Sequence, residues 1–314
     1  MACLAVYDVS GIQQFVFGSP KAKENIGASL YVQRLLEKKL KQALTGNGVK
    51  DWEKQSAFDQ NSLMDYEILY IGGGNGLVVF KDKTTAVETT KQLSKTLLEE
   101  TQGSLNVVVA YHDTQFNDFK RDKDALFQSL AEKKDNYLPA IPMRGVALSR
   151  LHTDGLPATT ESPVDKQPVS QASATKMKHA DQRIFSDLFI TEKISGWEFP
   201  KEFDHLGQIE GGSHIAVLHI DGNSMGEMID KALESKNEYS QAIDLMRNIS
   251  KGIKDTYTEV FQQLVQEVAE SCNDEQIAKN FDFKKEGGKT YLPLRPIILN
   301  GDDVTFVCEG RIGI

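Results

Sequence analysis

An internal repeat constrains the fold of this chain more than any other feature of its sequence. The first copy comprises, in order, a strand at residues 4–7, a helix that stops near Gly46, strands at 66–71 and 77–80, a helix at about 84–101 and a strand at 105–111. A glycine-rich turn joins the two middle strands and predicts a β-hairpin. The order β-α-β-β-α-β is typical of the ferredoxin-like, or split β-α-β, unit.

The opening elements of that unit return near the end of the chain. The second copy comprises a strand at 215–220, a long helix at about 240–270, and strands at 295–299 and 304–308. The two hairpins align without a gap, so that Gly72-Gly73-Gly74-Asn75 matches Asn300-Gly301-Asp302-Asp303, and Ser10 matches Asp221. The sequence therefore predicts an α+β protein with two ferredoxin-like (βαββαβ) domains.

The domain limits follow from this alignment. The predicted parts are a first domain at 1–150, an insertion or linker at 151–210, and a second domain at 211–314. The first domain also contains a charged helix near 117–134 and a strand near 144–148, whereas the Thr-, Ser-, Pro- and Ala-rich residues 151–180 predict a loop or an inserted excursion. Because only a short segment follows the last predicted strand, we expect that the second domain is C-terminally incomplete and that Ile314 is not a natural domain end.

Three carboxylates of the second copy are expected to meet at one edge of its sheet. Asp221 ends the first strand, and Asp302 and Asp303 lie in the turn of the neighbouring hairpin. Such acids repel one another unless cations lie between them, and Mg²⁺ commonly binds one or two carboxylates together with substrate phosphates. Two such ions can polarise a phosphoryl group and activate a hydroxyl nucleophile. Asn-Gly-Asp-Asp is also a favourable hairpin turn by itself, but Asp221 and the repeat favour the metal site.

The first copy lacks these acids and predicts a degenerate site. Ser10, Gly74 and Asn75 occupy the matching positions. Asp8 lies two residues too early, where it is either a displaced ligand or a support for the following turn. The predicted five-residue turn at 72–76 offers backbone amides to a phosphate or a ribose, and it is equally compatible with a tight turn that binds nothing.

Composition and charge exclude several other classes of protein. The chain has 36 Lys+Arg against 45 Asp+Glu, a net charge of −9, which argues against a protein whose main role is non-specific duplex binding. The cysteines Cys3, Cys272 and Cys308 are far apart and predict neither a zinc site nor a disulfide framework. The first residues do not resemble a signal peptide and no apolar run is long enough to cross a membrane, so we expect a cytoplasmic protein without membrane partners.

Several motifs of this sequence resemble a known family. They are the stretches 8–18, 21–29, 72–76 and 153–158 around the first copy, and 219–226 and 300–303 in the second. Together they are similar to the two palm domains of the large subunit of type III CRISPR effector complexes, the CRISPR polymerase. That resemblance implies tandem palms that face each other and are related to GGDEF-type cyclases. It also implies two Mg²⁺ or Mn²⁺ ions and two ATP molecules, which are joined into cyclic oligoadenylates.

Carried over to this sequence, the resemblance assigns metal binding and catalysis to Asp221, Asp302 and Asp303. It implies that Ser10 and the turn at 73–76 help to hold the acceptor nucleotide, while Gly222 would let the backbone approach a triphosphate and Gly301 gives its turn freedom. The predicted nucleotide-binding residues are Ser10, Gly11, Gly73, Gly74, Asn75, Gly76, Gly222, Asn223 and Gly301. The sequence departs from the family in three ways: Asn300 replaces the first glycine of the GGDD turn, no His-Asp pair with further histidine ligands precedes the first palm, and residues 151–180 contain no cysteine ribbon. We therefore expect a stand-alone or minimal relative.

The predicted function is a metal-dependent nucleotidyltransferase or cyclase that joins ATP into cyclic or linear oligonucleotide second messengers in prokaryotic antiviral defence. The alternatives are a catalytically silent nucleotide-binding sensor and a scaffold subunit of a CRISPR-type ribonucleoprotein. The expected partners are nucleoside triphosphates, with the palms meeting within one chain or across a homodimer, and an RNA–protein complex is a further candidate. Five basic residues near the palm motifs are either phosphate contacts or ordinary surface charges: Lys21, Lys23, Lys176, Lys178 and Arg183.

Overall fold

The computed structural model describes residues 1–54, 58–136, 154–180, 183–236 and 238–313. The predicted strand near 144–148, Thr153 of the family motif and Ile314 lie outside the described residues. No helix in the described ranges is long and apolar enough to cross a membrane.

The strands and helices follow the predicted order. The strands are β1 (Ala2–Ser10), β2 (Gly48–Val49), β3 (Tyr66–Gly72), β4 (Asn75–Phe80), β5 (Asn106–Thr114), β6 (Thr160–Glu161), β7 (Pro168–Val169), β8 (Trp197–Glu198), β9 (Ile215–Ile220), β10 (Lys285–Glu286), β11 (Lys289–Tyr291), β12 (Leu294–Asn300) and β13 (Asp303–Glu309). The helices are α1 (Ile12–Phe17), α2 (Ala22–Arg34), α3 (Lys41–Ala43), α4 (Lys83–Thr101), α5 (Phe119–Asp135), α6 (Gln171–Ala180), α7 (Ile184–Phe189), α8 (Met225–Leu233), α9 (Tyr239–Ser271) and α10 (Glu275–Ala278). A π-helical segment, Leu35–Leu40, joins α2 to α3, and 3₁₀ turns lie at Glu192–Ile194 and Phe203–His205.

The first palm, which is the sheet that contains β1 together with its helices, has the ferredoxin-like strand order. Its five strands lie in the order β2-β3-β4-β1-β5, and β1 is antiparallel to both β4 and β5. The centre of β1 from Cys3 to Tyr7 is fully buried, so this continuous apolar run forms the middle of the core. Four of the strands are those of the predicted unit, and the short β2 adds a parallel edge beside β3.

The second palm, which is the sheet β12-β13-β9 together with α8 and α9, repeats the central part of that order. In each palm the second strand of the hairpin pairs antiparallel with the first strand of the unit, β4 with β1 and β13 with β9. Among the described strands, β9 has one neighbour, β13, and its side chains Ile215, Val217 and Ile220 are exposed. The predicted α+β fold and its repeat are thus confirmed.

The two palms pack against each other through helices. The long helix α9 contacts β3 of the first palm as well as β12 of the second, and α2 of the first palm also packs on β12. This packing brings the hairpin of each palm to the same side of the molecule, where the candidate site lies.

Residues 171–180, which fall in the segment predicted as a loop or an inserted excursion, form the helix α6. This helix packs closely on α2, and its side chains from Ala172 to Met177 are buried. A Cβ atom at Gly27 would lie 1.8 Å from the carbonyl oxygen of Lys176, so glycine is what allows the two backbones to approach. The helix was missed because its buried side includes small and polar residues instead of a clear apolar stripe.

All three cysteines are free and buried, which agrees with the prediction that they form no disulfide framework. Burial raises the pKa of each of the thiols of Cys3, Cys272 and Cys308 to about 11. They are therefore protonated and act as small apolar residues of the core.

Candidate functional site

The β12–β13 hairpin presents Asp302 and Asp303 at its tip. Asn300 pairs with Asp303, so the loop consists of Gly301 and Asp302 alone. Gly301 has a φ angle of 67°, in the left-handed region that residues with a side chain rarely adopt. The sequence Asn-Gly-Asp-Asp therefore forms the tight turn that its pattern predicts.

Asp221 lies at the same end of the sheet as this turn. It follows β9 directly, and β9 pairs with β13 along its whole length. Gly222 keeps the two segments close, because a Cβ atom at this position would lie 2.7 Å from Oδ2 of Asp302 and 2.9 Å from its Cβ. A side chain at position 222 would thus displace Asp302.

The three acids influence one another electrostatically. Burial raises the pKa of Asp303 above its ordinary value, and the negative charges of Asp221 and Asp302 raise it further, while His219 and Thr305 act in the opposite direction. Oδ1 of Asp303 lies 3.3 Å from Nδ1 of His219 and accepts a hydrogen bond of 3.4 Å from Thr305. The side chain of His219 is about half exposed, and its Nδ1 also lies 3.0 Å from Oγ1 of Thr305.

The acids suit a divalent cation only in part. Across the described ranges, no group of three or more His, Cys, Asp or Glu side chains is arranged so that it could hold a metal ion by itself. The carboxylates still offer the hard oxygen ligands that Mg²⁺ and Mn²⁺ prefer, and a cation would relieve their mutual repulsion. They fit an ion that takes its remaining ligands from substrate phosphates and water, so metal binding by Asp221, Asp302 and Asp303 stays a prediction.

The β3–β4 hairpin presents the matching turn of the first palm without acids. Gly72 pairs with Asn75, and the loop is formed by Gly73 and Gly74, with φ angles of 56° and 77°. The predicted five-residue turn is wrong, because strand pairing continues up to Gly72 and Asn75. Oδ1 of Asn75 is buried and has no hydrogen-bond partner, which leaves an acceptor for a ligand.

Asp8 is part of the framework of the first palm. Its Oδ2 lies 2.9 Å from Nζ of Lys134 on α5 and accepts a hydrogen bond of 3.4 Å from Ser10. This ion pair favours a supporting role over that of a displaced metal ligand.

The two hairpin turns face each other across the contact between the palms. A Cβ atom at Gly301 would lie 3.1 Å from the backbone nitrogen of Gly73, and one at Gly74 would lie 3.4 Å from Nδ2 of Asn300. Glycine at these positions therefore allows backbone to approach backbone.

A cavity of about 930 Å³ opens between the palms beside the two turns. Of the residues predicted to bind nucleotides or metal, Gly73, Asn75, Gly301 and Asp302 line it. The remaining predicted residues lie outside its lining: Ser10, Gly11, Gly74, Gly76, Asp221, Gly222, Asn223 and Asp303. The volume is at the upper end of the range for small-molecule sites, ~300–1,000 Å³.

Most of the cavity wall escaped the sequence analysis. Its basic residues are Arg34, Lys38, Lys123 and Lys254, and its apolar residues include Phe127, Ile184, Leu188, Met225, Ile229, Met246 and Ile253. The five basic candidates taken from the sequence do not line it: Lys176, for example, is buried with Nζ 4.5 Å from the ring centre of Phe15, and Arg183 pairs with Glu198. Arg34 and Lys38 lie one helical turn apart, which is the signal that could have found them.

Comparison with known proteins agrees with this arrangement. Residues 1–137 match the model of the Csm1 subunit domain B. The first part of the chain is thus similar to domain B of the Csm1 subunit. Three similar structures are the Csm1–Csm4 subcomplex of the type III-A CRISPR-Csm interference complex (TM-score 0.52, 12% identity), the Csm1–Csm4 cassette with one ATP (0.51, 13%) and the cassette with cA4 (0.50, 13%).

The matched structures are longer than this chain and only distantly similar to it in sequence. Each of the three includes 98% of this chain and 45% of the matched chain, so the chain spans less than half the length of these relatives. At such low identity the structural likeness concerns the fold. No curated protein matches the chain.

Proposed function

We propose that this chain is a metal-dependent nucleotidyltransferase, or cyclase, that joins nucleoside triphosphates between its two palms. The observation that carries the proposal is the meeting of an acid-bearing turn and an acid-free turn beside one cavity. The turn at 300–303 brings carboxylates to this place, and the turn at 72–75 brings backbone amides and the unpaired amide oxygen of Asn75.

The wall of the cavity suits nucleoside triphosphates. Arg34, Lys38 and Lys254 supply positive charge for phosphate groups, while Phe127 and Met246 supply apolar surface for a base. Asp221, Asp302 and Asp303 would hold divalent ions, which when bound would polarise the transferred phosphoryl group and lower the pKa of the attacking hydroxyl.

The matched structures support a more specific proposal. One is a Csm1–Csm4 cassette with one ATP, one is the cassette with cA4, and the third is the Csm1–Csm4 subcomplex of the type III-A CRISPR-Csm interference complex. We therefore propose ATP as substrate, a cyclic oligoadenylate as product, and antiviral defence in the cytoplasm as the setting, with a Csm4-like subunit as partner.

Incubation of the purified protein with Mg²⁺ or Mn²⁺ and each of the four labelled nucleoside triphosphates tests the proposal. We expect a labelled oligonucleotide from the parent protein and none from the Asp302→Asn/Asp303→Asn variant, because the amides keep the shape of the side chains and remove their charge. The matched control is Asp255→Asn, which removes one exposed carboxylate from α9 and should keep the parent activity.

A catalytically silent nucleotide sensor is the second candidate, and the lack of a preformed three-ligand metal site in the described residues favours it. If the parent protein makes no product with any nucleotide and metal, the enzyme proposal is wrong. Calorimetric titration with ATP then decides between a nucleotide sensor and a scaffold subunit, since a sensor binds ATP and a scaffold does not.

A further inference from the structure

Arg247 of α9 reaches from the second palm into the first. The residue is 5% exposed, and its Nη2 donates a hydrogen bond of 2.5 Å to Oε1 of Glu67, which is 4% exposed. Its Nε donates a hydrogen bond of 3.0 Å to the backbone oxygen of Leu69. Arg247 is therefore bound to β3 of the first palm by a buried ion pair and by a contact with the strand backbone.

The contacted part of β3 is irregular and lacks a strand neighbour. Pairing with β4 passes from Ile68 to Tyr70 and skips Leu69, which is the pattern of a β-bulge. On the other edge, β2 covers β3 only as far as Glu67. Arg247 donates to the carbonyl oxygens of both Ile68 (3.4 Å) and Leu69, so its guanidinium group replaces a neighbouring strand.

The same helix also forms one wall of the cavity. Met246, Ser250, Ile253 and Lys254 line it and share one side of α9. Cβ of Ser250 lies 3.8 Å from the place of a Cβ at Gly72, where β3 ends and the turn begins. Arg247 thus connects the cavity wall to the strand that leads into the first-palm turn.

We propose that Arg247 and Glu67 form a positioning clamp that fixes the first-palm turn opposite the second-palm turn. This inference deepens the proposed function and rests on it. Neither residue lines the cavity, so both act through the backbones of β3 and α9. A guanidinium group can serve a carboxylate and two carbonyl oxygens in one plane, which a lysine ammonium group cannot do.

Loss of the clamp should affect the alignment of two bound nucleotides more than their binding. Each nucleotide is held largely by groups of the cavity wall, whereas the joining step depends on the relative position of the two turns. A misplacement of about 1 Å is sufficient to cost up to about a hundredfold in the rate of a chemical step.

Kinetics of three variants test the clamp. The double variant Glu67→Leu/Arg247→Met removes both charges of the buried pair at once. Asp244, whose Oδ1 lies 3.7 Å from Nη1 of Arg247, also loses this contact, but its side chain is one-third exposed to solvent. We expect the kcat of the double variant to fall at least about tenfold, with KM for ATP and the thermal midpoint close to those of the parent. Arg247→Lys should keep a kcat between those of the double variant and the parent, because it retains the positive charge. Glu88→Gln is the matched control, because it removes an exposed 2.7 Å ion pair with Lys91 on α4, outside the cavity lining, and should leave kcat unchanged.

Two kinetic results would overturn the clamp. The first is a folded double variant that keeps the parent kcat. The second is a loss of kcat that is fully explained by a lower thermal midpoint, that is, by partial unfolding at the assay temperature. If the double variant does not fold, Arg247→Lys carries the same comparison of kcat, KM and midpoint.

A distance measurement keeps the clamp separate from the proposed enzyme activity. Spin labels on cysteines introduced at the exposed Lys91 of α4 and Thr256 of α9 report the separation of the palms, since the native cysteines are buried. We expect a narrow distance distribution in the parent and a broader or shifted one in the clamp variants. An unchanged distribution disproves the clamp. A parent protein that makes no product disproves the proposed activity, and the distance alone then decides the clamp.

Discussion

The two hairpin turns share a backbone and differ in chemistry. Each is a two-residue loop with glycine at a positive φ angle, Gly73-Gly74 in the first palm and Gly301-Asp302 in the second. The first offers only backbone and the amide of Asn75, whereas the second carries two acids beside a third. The comparison shows that the same backbone turn occurs once without acids and once with them, so what each turn can bind depends on the residues that it carries.

Gly222→Ala should produce the largest effect, because it displaces an acid of the charged turn while all three acids remain in the sequence. The new Cβ would lie 2.7 Å from Oδ2 and 2.9 Å from Cβ of Asp302, so Asp302 must move. Such a displacement should lower the rate of product formation by about a hundredfold. Single-turnover assays with ATP measure this rate, and thermal unfolding checks that the variant is folded.

Gly252→Ala is the control for this substitution. Nothing lies within 4 Å of a Cβ at position 252, which is exposed on α9. Alanine there should leave the rate unchanged and stabilise the helix by up to about 1 kcal/mol. If Gly222→Ala keeps the parent rate while it is folded, Asp302 does not need its present position and the charged turn is not the catalytic one.

Alanine substitutions in the two loops should reveal a second, smaller asymmetry. Both Gly73 and Gly301 have positive φ angles, so alanine at either position should cost about 1 kcal/mol of unfolding free energy. At Gly301 the new Cβ would also lie 3.1 Å from the nitrogen of Gly73, whereas at Gly73 the nearest atom is Nδ2 of Asn75 at 4.0 Å.

We therefore expect Gly301→Ala to destabilise the protein more than Gly73→Ala in urea unfolding. Only Gly301→Ala should also increase the separation of the palms. Equal losses of stability in the two variants would show that the turns do not press against each other in solution.

The sequence was sufficient for those parts of the molecule that local patterns encode. Both hairpins and the helices α4 and α9 follow from alternating or helical hydrophobicity and from glycine at the turns. The proximity of Asp221 to the turn at 302–303 also follows, because strand order in a ferredoxin-like sheet places these segments side by side.

The sequence was not sufficient for features that arise when distant elements pack. Lys123 and Lys254 line one cavity although they are far apart in the chain, and nothing local marks either of them. The buried contact of Arg247 with the bulge at Leu69 needs both the irregular pairing of β3 and the position of α9. The length of the first-palm turn was misjudged because glycine content does not reveal where strand pairing stops.

Neutralising one acid in each palm should give the smallest effects, and they should have opposite signs. Asp8 is paired with Lys134, so Asp8→Asn should lower the unfolding free energy by up to about 1 kcal/mol. Asp303 has a raised pKa because it is partly buried and lies beside Asp221 and Asp302. Its charged form therefore disfavours the folded state, and Asp303→Asn should slightly raise the urea midpoint at neutral pH without divalent ions.

The pH dependence of this gain tests its cause. A raised pKa in the folded state means that the protonated acid favours folding at pH values below the ordinary pKa of aspartate, about 4, and that this contribution is lost as pH rises through the folded pKa. The stabilisation by Asp303→Asn should therefore be greatest at neutral pH and vanish toward about pH 4. Urea midpoints of both variants across this range measure it. A destabilised Asp303→Asn variant at neutral pH would mean that the contact with His219 outweighs the repulsion among the acids. Asp303 would then stabilise the second palm through a basic partner, as Asp8 does in the first.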